Sequence, residues 1–428
     1  MISPDIVIFV LASLIKSAVV VGFMLFMVAY SVVAERRVSA MIQDRIGPNR
    51  VGIPLTNIRL WGLGQPIADG LKFLLKEEFV PAGVHKFYFL LAPALAMVPA
   101  LMTIAVVPFG STIDLRPIAV PIAEFLNSVA AGSVPIFSSF LAWVQGLFVW
   151  SDESIAASIE ALNVPAVIAN LDVGILFVFA IVSISVYGIV LAGWASNSKF
   201  PFLGGIRASA QMISYELSMG LAVVPIFLVV GHLNLGQIVA HQAEYGWFIF
   251  PVFSRDFLGS WLLWIPMCLS FIIFLIAAFA ETNRLPFDLA ECETELVGGF
   301  HTEYSAMKFA LFFLGEYAAM IVVSAVMVTV FLGGWTLPLP WFDGQAVPAD
   351  WPILAGAAVP AWFGLVHIGV FLAKVVVFIL LFIVVRWTLP RFRYDQLMSL
   401  GWKFFIPLAF ANVFLTAVIL AAMHAVRL

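Results

Sequence analysis

The sequence predicts an all-α, polytopic integral membrane protein with about eight transmembrane helices and one interfacial amphipathic helix. The first observation behind this is composition. Of 428 residues, 63% are hydrophobic and 11% charged, and the mean hydropathy is +1.07, far from the balance of a water-soluble domain. The second is the length of the apolar runs. They fall at about 6–33, 87–109, 172–194, 212–231, 261–281, 306–333, 363–387 and 402–424, each near or above the ~20 residues that cross a bilayer. The third is the placement of Lys and Arg. With the 34–86 connection inside, sixteen of the 21 basic residues fall in inside segments and three (Arg116, Arg255, Arg427) outside. That asymmetry sets a cytoplasmic face, puts both termini on the outer face and turns the acidic connection near residue 290 inward.

In chain order, the first run has no basic residue before Lys16 and is too long for the apolar core of a signal peptide, so it is expected to be a retained helix. The 34–86 connection holds turn chemistry in DRIGPNRVG (44–52). A surface helix is expected over 63–78: Leu63, Ile67, Leu71, Leu74 and Leu75 recur at helical spacing, and Pro66 suits the first turn. Such a helix lies in the membrane interface. The 110–171 connection is long and rich in Pro and Ser. Its apolar run Ile136–Trp150 is too short for a comfortable span, and zero crossings are expected there. The 334–361 connection has five prolines and no Lys or Arg, as an outer loop should. With no internal repeat, residues 1–428 read as one helical bundle with an extended outer-face connection at 110–171.

Composition also narrows the chemistry. Cys268 and Cys292 lack metal-ligand spacing, so free thiols are expected. No Cys–His cluster suits zinc or an iron–sulfur centre, and no Gly-rich strand–helix motif suits a nucleotide. The net charge of −4 matters less than where the charges stand.

The chemistry concentrates in FAETNRLPFDLAECETELVGGFHTEY (279–304). This stretch carries Glu281, Asp288, Glu291, Glu293, Glu295 and Glu303 against one basic residue, Arg284. Carboxylates this dense repel one another and favour holding protons. An acidic loop in water is the ordinary reading, but Pro286, Phe287, Leu289, Leu296, Val297 and Phe300 predict a loop buried in protein. Further polar sites are expected on the inner half of the bundle. Glu35-Arg36-Arg37 ends the first helix, where arginines serve as positive-inside anchors. Glu216 enters the fourth helix about a turn and a half deep, while Glu316 and Lys374 lie deep in the sixth and seventh. Glu316 and Lys374 form either a structural ion pair or part of a proton relay; Lys16 has the same ambiguity. The six histidines read as structural or surface residues, with His301 alone inside the acidic loop.

Five blocks carry a family resemblance: ERRVSAMIQDRIGPNRVG (35–52), GQPIADGLKFLLKE (64–77), GWASNSKFPFLGGIRASAQMISYE (193–216), AETNRLPFDLAECETELVGGFHTEYSAMKFALFFLGEY (280–317) and RWTLPRFRYDQLMSLGWK (386–403). They resemble the H subunit of bacterial NADH-quinone oxidoreductase, respiratory complex I, the counterpart of mitochondrial subunit 1. The resemblance runs end to end except over 110–171.

The resemblance implies a multi-pass component of the bacterial inner membrane. It forms the membrane-side wall of a quinone chamber, beneath a peripheral arm that carries flavin and iron–sulfur centres. By position, Glu216, Glu281, Asp288, Glu291, Glu293, Glu295, Glu303 and Glu316 match the family's proton path. Arg36, Arg45, Asp69 and Lys72 match its quinone entrance. Quinone is then a substrate, either ubiquinone or menaquinone, and this chain holds no flavin, iron–sulfur or metal centre. The implied partners are the other membrane-arm and peripheral-arm subunits, quinone and the lipid bilayer, with no nucleic acid. Two rivals are a membrane anchor of a hydrogenase-type energy-converting complex and a secondary transporter. The complete ETNRLPFD block and the Asp69–Lys72 segment oppose the first. The lack of a repeat with paired broken helices opposes the second.

Overall fold

A computed structural model of the chain describes residues 4–52, 59, 61–114, 163–250, 257–289, 298–337 and 359–427. Eight helices among these residues are long and apolar enough to cross a membrane. They are α1 (Pro4–Ile42), α3 (Lys86–Thr103), α4 (Gly174–Ala195), α5 (Lys199–Val230), α7 (Phe257–Glu281), α8 (Ala306–Phe331), α9 (Ala361–Thr388) and the final helix. That last span begins as α10 (Tyr394–Ser399), runs through a π-turn (Leu400–Phe405) and continues as α11 (Ile406–Arg427). Two shorter helices, α2 (Gln65–Leu75) and α6 (Leu235–Tyr245), lie in the connections. The eight anticipated spans are therefore present, and the protein is a multi-pass membrane protein.

The boundaries differ where polar residues hide helix. Helix α5 starts at Lys199 rather than near 212, so Glu216 sits seventeen residues in, about 25 Å along the axis. Arg36 and Arg37 lie on α1 itself, because α1 continues to Ile42. Helix α6 is not anticipated by the apolar runs. Its start is readable all the same: the Asn234 side chain accepts from the backbone N–H of Gly236 (2.8 Å) and Gln237 (3.3 Å).

Helix α8 is the most buried of the spans, lined nearly all round by its neighbours. Around it the long helices present apolar faces outward; Leu14, Val19 and Phe26 of α1 and Leu380 of α9 are exposed, as lipid-facing residues are. With lipid as solvent, close backbone approach holds helices together. A Cβ on Gly188 of α4 would stand 2.7 Å from the Ala96 backbone nitrogen of α3, and one on Gly204 of α5 would stand 2.8 Å from the Phe300 nitrogen. Only glycine permits either contact.

A small three-stranded sheet, in the order β2 (Asn163–Pro165), β1 (Thr112–Asp114), β3 (Val359–Pro360), joins the α3–α4 connection to the α8–α9 connection at the end of the bundle where α3 finishes. Strand β1 pairs antiparallel with β2 and parallel with β3, which closes both ends of the long 110–171 connection. The run Ile136–Trp150 and the expectation of no crossing within 110–171 lie outside the described residues, as does Cys292.

Lys374 of α9 overturns two expectations. It lies beside the far end of α8, away from Glu316, and not in the half of the bundle where the basic connections gather. Its ammonium donates to the carbonyls of Leu332 (2.8 Å), Gly334 (2.8 Å) and Thr336 (2.6 Å) and stands 4.0 Å from the Trp247 ring centroid. Those carbonyls follow the last turn of α8, where the helix dipole is negative and carbonyls lack helical partners. Lys374 is thus a C-terminal clamp on α8. Replacing it with Met should lower the melting temperature of the purified assembly, because each charged hydrogen bond contributes about 1.5–3 kcal/mol. An unchanged melting curve would refute the clamp.

Candidate functional site

The site lies at the end of the bundle where α1 finishes, and it starts from a loop. Residues 282–289 leave α7 and, apart from the half-buried Leu285, are buried although they are not helical: Thr282, Asn283, Arg284, Phe287 and Asp288 are each 6% exposed or less. Irregular backbone at membrane depth survives only when protein satisfies its polar groups. Here Gln211 of α5 supplies that satisfaction, donating to the carbonyls of Ala280 (2.7 Å) and Phe287 (2.9 Å). The Arg284 backbone N–H donates to the Phe279 carbonyl at 3.1 Å, and the Phe392 backbone N–H donates to the Pro286 carbonyl at 3.1 Å. The Phe287 and Phe392 rings stack at 5.4 Å. The burial expected from the apolar residues of this loop is present over 282–289.

The loop aims Arg284 into a buried charge cluster. Glu35 of α1 lies 3.3 Å from Arg284 and 2.6 Å from Arg386 of α9. Its carboxylate also accepts the Tyr317 hydroxyl of α8 at 2.5 Å. Arg284 additionally pairs with Glu316 of α8, and its guanidinium stands 4.0 Å from the Tyr317 ring centroid. Among the described residues, two acids therefore balance two arginines across four elements. Balance matters because removing one partner from a buried ion pair strands the other, at about 3–5 kcal/mol.

Two expectations change. Glu316 pairs with Arg284, so the alternative of a Glu316–Lys374 ion pair does not hold; Glu316 lies ten residues into α8, whereas the Lys374 ammonium binds carbonyls past its last turn. Glu35 is part of this cluster rather than of a surface anchor. Sequence reasoning misses Arg386, Tyr317 and Glu35 as site residues. A signal exists for Glu35: an acid directly after some thirty almost uncharged residues should have a specific partner.

Beside the cluster is a cavity of about 60 Å³ lined by Glu281, Asn283, Glu316, Ser185 and Met212, among others. A void this size has room for a water or two. Glu281 is 4% exposed, and neither of its carboxylate oxygens has a hydrogen-bond partner among the described residues. Glu216 of α5 lies within electrostatic reach of it and accepts the Ser183 hydroxyl of α4. Asp288 is buried and Glu303 half-buried on the same connection. Glu291, Glu293 and Glu295 lie outside the described residues.

Helix α2 forms the outer edge of the site. None of its residues is buried, and Ile67, Leu71, Leu74 and Leu75 are exposed, the pattern of a helix lying in the membrane interface. Arg36 of α1 holds Asp69 of α2 at 2.8 Å, and Gln65 donates to Asp69 at 3.2 Å. On the other flank, Phe73 meets Phe309 of α8 at 6.4 Å, and just past α2 Glu78 pairs with the buried Lys308 at 2.8 Å. Thus α2 bridges α1 and α8. Lys72 is exposed on α2. Arg45 is also exposed and bonds Gln43 at 2.7 Å, so the described contacts do not join it to the Arg36–Asp69 pair.

The histidines divide as expected. His301 packs against Phe300 and Phe309. His241 of α6 stacks on Tyr245 and Phe248, and burial holds its imidazole below the ordinary value. Among the described residues, no group of three or more His, Cys, Asp or Glu is placed to hold a metal ion.

Replacing Glu35 with Ala should sharply reduce assembled protein on a native gel, since it takes the shared carboxylate from Arg386 and leaves Arg284 with Glu316. Pairing it with Arg386→Met should recover part of that loss. Equal loss in the single and double variants would mean the charges are not coupled.

The family model described as NADH dehydrogenase matches residues 15–417. An H subunit of NADH-quinone oxidoreductase from Koribacter versatilis (strain Ellin345) is 41% identical over 419 residues, covering 97% of this chain and 99% of that protein. An H subunit of the same enzyme from Geobacter metallireducens is 42% identical over 414 residues, 96% of both chains. The H subunit from Leptospira biflexa is 44% identical over 380 residues, 89% of this chain and 86% of the relative.

Proposed function

Because the chain belongs to the H-subunit family of NADH-quinone oxidoreductase, and so is a membrane subunit of that enzyme complex, we propose that it walls part of a quinone chamber and carries a carboxylate proton path. Electrons from NADH arrive through other chains. Quinone passes from lipid beneath α2, alongside Arg36, Asp69 and Lys72, with Arg45 at the rim. The proton path comprises Glu216, Glu281, Asp288, Glu291, Glu293, Glu295, Glu303 and Glu316. The observation that carries this reading is Glu281: a buried carboxyl with no partner among the described residues, on a cavity that also touches Glu316. A buried acid held only for stability is normally paired and hydrogen-bonded.

Reduced quinone carries negative charge and takes up protons. That charge favours protonation of nearby carboxyls, and a cluster of coupled acids responds as a unit. Glu281 and Glu216 exchange the proton; Ser183 orients Glu216; Arg284 holds Glu316 beside the same cavity. The complex sits in the bacterial inner membrane with the basic connections and the acidic loop towards the cytoplasm and both termini outside.

The Gln variants of Glu281 and Glu216 keep size and remove titration. Each should leave NADH oxidation by a soluble acceptor intact and lower quinone reduction together with proton translocation by about tenfold or more. Both rates are measured in reconstituted vesicles with assembly checked on the same sample, and normal coupled turnover in both variants would end the proposed relay. For the entrance, Asp69→Ala breaks an ion pair that is partly exposed, so stability should change by about 1 kcal/mol or less. The expected effect is a raised apparent KM for quinone, read against an unchanged soluble-acceptor rate. An unchanged KM would remove Asp69 from the entrance.

A further inference from the structure

We propose that the far end of the bundle binds one anionic phospholipid, with its phosphate at Lys16 and one acyl chain in the groove between α1, α8 and α9. The groove is a cavity of about 450 Å³, within the roughly 300–1,000 Å³ range of sites that bury small organic molecules. Val19, Phe23 and Met27 of α1 line one wall, Ile321 of α8 the floor, and Phe371 and Val375 of α9 the other wall. Val19 and Phe23 are 65% and 44% exposed, so the groove opens sideways towards lipid.

Its polarity is one-sided. Among the described residues, Lys16 is the one charged residue in the lining, and its ammonium stands beside the connection that carries β2, at the end of the bundle where α3 finishes. Its ammonium meets only the carbonyls of Pro165 at 3.4 Å and Val167 at 3.5 Å among the described residues. Both are long for a charged donor, which leaves donors for a phosphate oxygen. From Lys16 to Met27 the groove runs about 16 Å along α1, close to half the ~30 Å hydrocarbon thickness and hence to the depth of one leaflet. An apolar trench one leaflet deep with a cation at its mouth matches a single phospholipid. A neutral quinone has no charged group for Lys16. The groove is also at the opposite end of the bundle from the proposed quinone entrance, so this inference stands without that reading.

The test uses the whole complex in native membranes and two photoactivatable lipids that share a mid-chain diazirine, phosphatidylglycerol and phosphatidylcholine. Phosphatidylglycerol should label peptides of α1 within 19–27, α8 within 321–325 or α9 within 368–375. Lys16→Gln should lower that labelling about fivefold, the effect of one interfacial positive charge, and Lys16→Arg should restore it. Labelling by phosphatidylcholine should not respond to either variant. Absence of label from these segments in the unaltered complex would overturn the proposal, as it would mean another chain of the complex covers the groove. Equal labelling by both lipids with no response to Lys16→Gln would overturn it as well.

Discussion

The Glu35 carboxylate is the constraint on which the rest of the site depends. One group, 6% exposed, accepts from Arg284, Arg386 and Tyr317. Through them it fixes α1, the loop after α7, α8 and α9 relative to one another. A carboxylate has about four acceptor positions, so three strong donors nearly saturate it. The geometry is therefore specific in a way that apolar packing between lipid-facing helices is not. A buried pair of this kind is weak evidence for stability as such. Its consequence here is positional: the non-helical loop 282–289 has one place to go.

That placement separates two kinds of acid within one end of the bundle. Glu35 and Glu316 are matched by arginines. Glu281, one residue before the loop, is buried as deeply and has no hydrogen-bond partner among the described residues. The matched acids hold shape across changes in their surroundings. An acid with no hydrogen-bond partner among the described residues is the kind of group whose protonation a new charge nearby would shift. Helix α2 belongs to the same frame: Arg36, next to Glu35 in sequence, turns outward to Asp69, so one segment of α1 serves both the buried cluster and the interface.

Much of this is legible in the chain. Apolar run length and the Lys/Arg asymmetry are enough for eight spans, because a bilayer imposes one length and one face on every helix. The apolar residues within 281–289 are enough to predict a buried loop. What escapes is pairing. Glu35 meets residues 249, 351 and 282 positions away, and no local periodicity encodes such a contact. Lys374 looks like a partner for Glu316 because both are charges deep in apolar runs, but Arg284 takes Glu316 and the Lys374 ammonium reaches the carbonyls past the end of α8. Helix α5 looks short because Arg207, Ser209 and Gln211 interrupt its hydropathy, although Gln211 is fully buried and bonded to the loop.

Infrared difference spectroscopy on the whole complex, comparing oxidised with reduced quinone, tests most directly whether the unmatched acid exchanges a proton. The account predicts a carboxylic C=O band that changes with quinone reduction, shifts in deuterated water and disappears in the Glu281→Gln variant. The same band at full amplitude in that variant would contradict it.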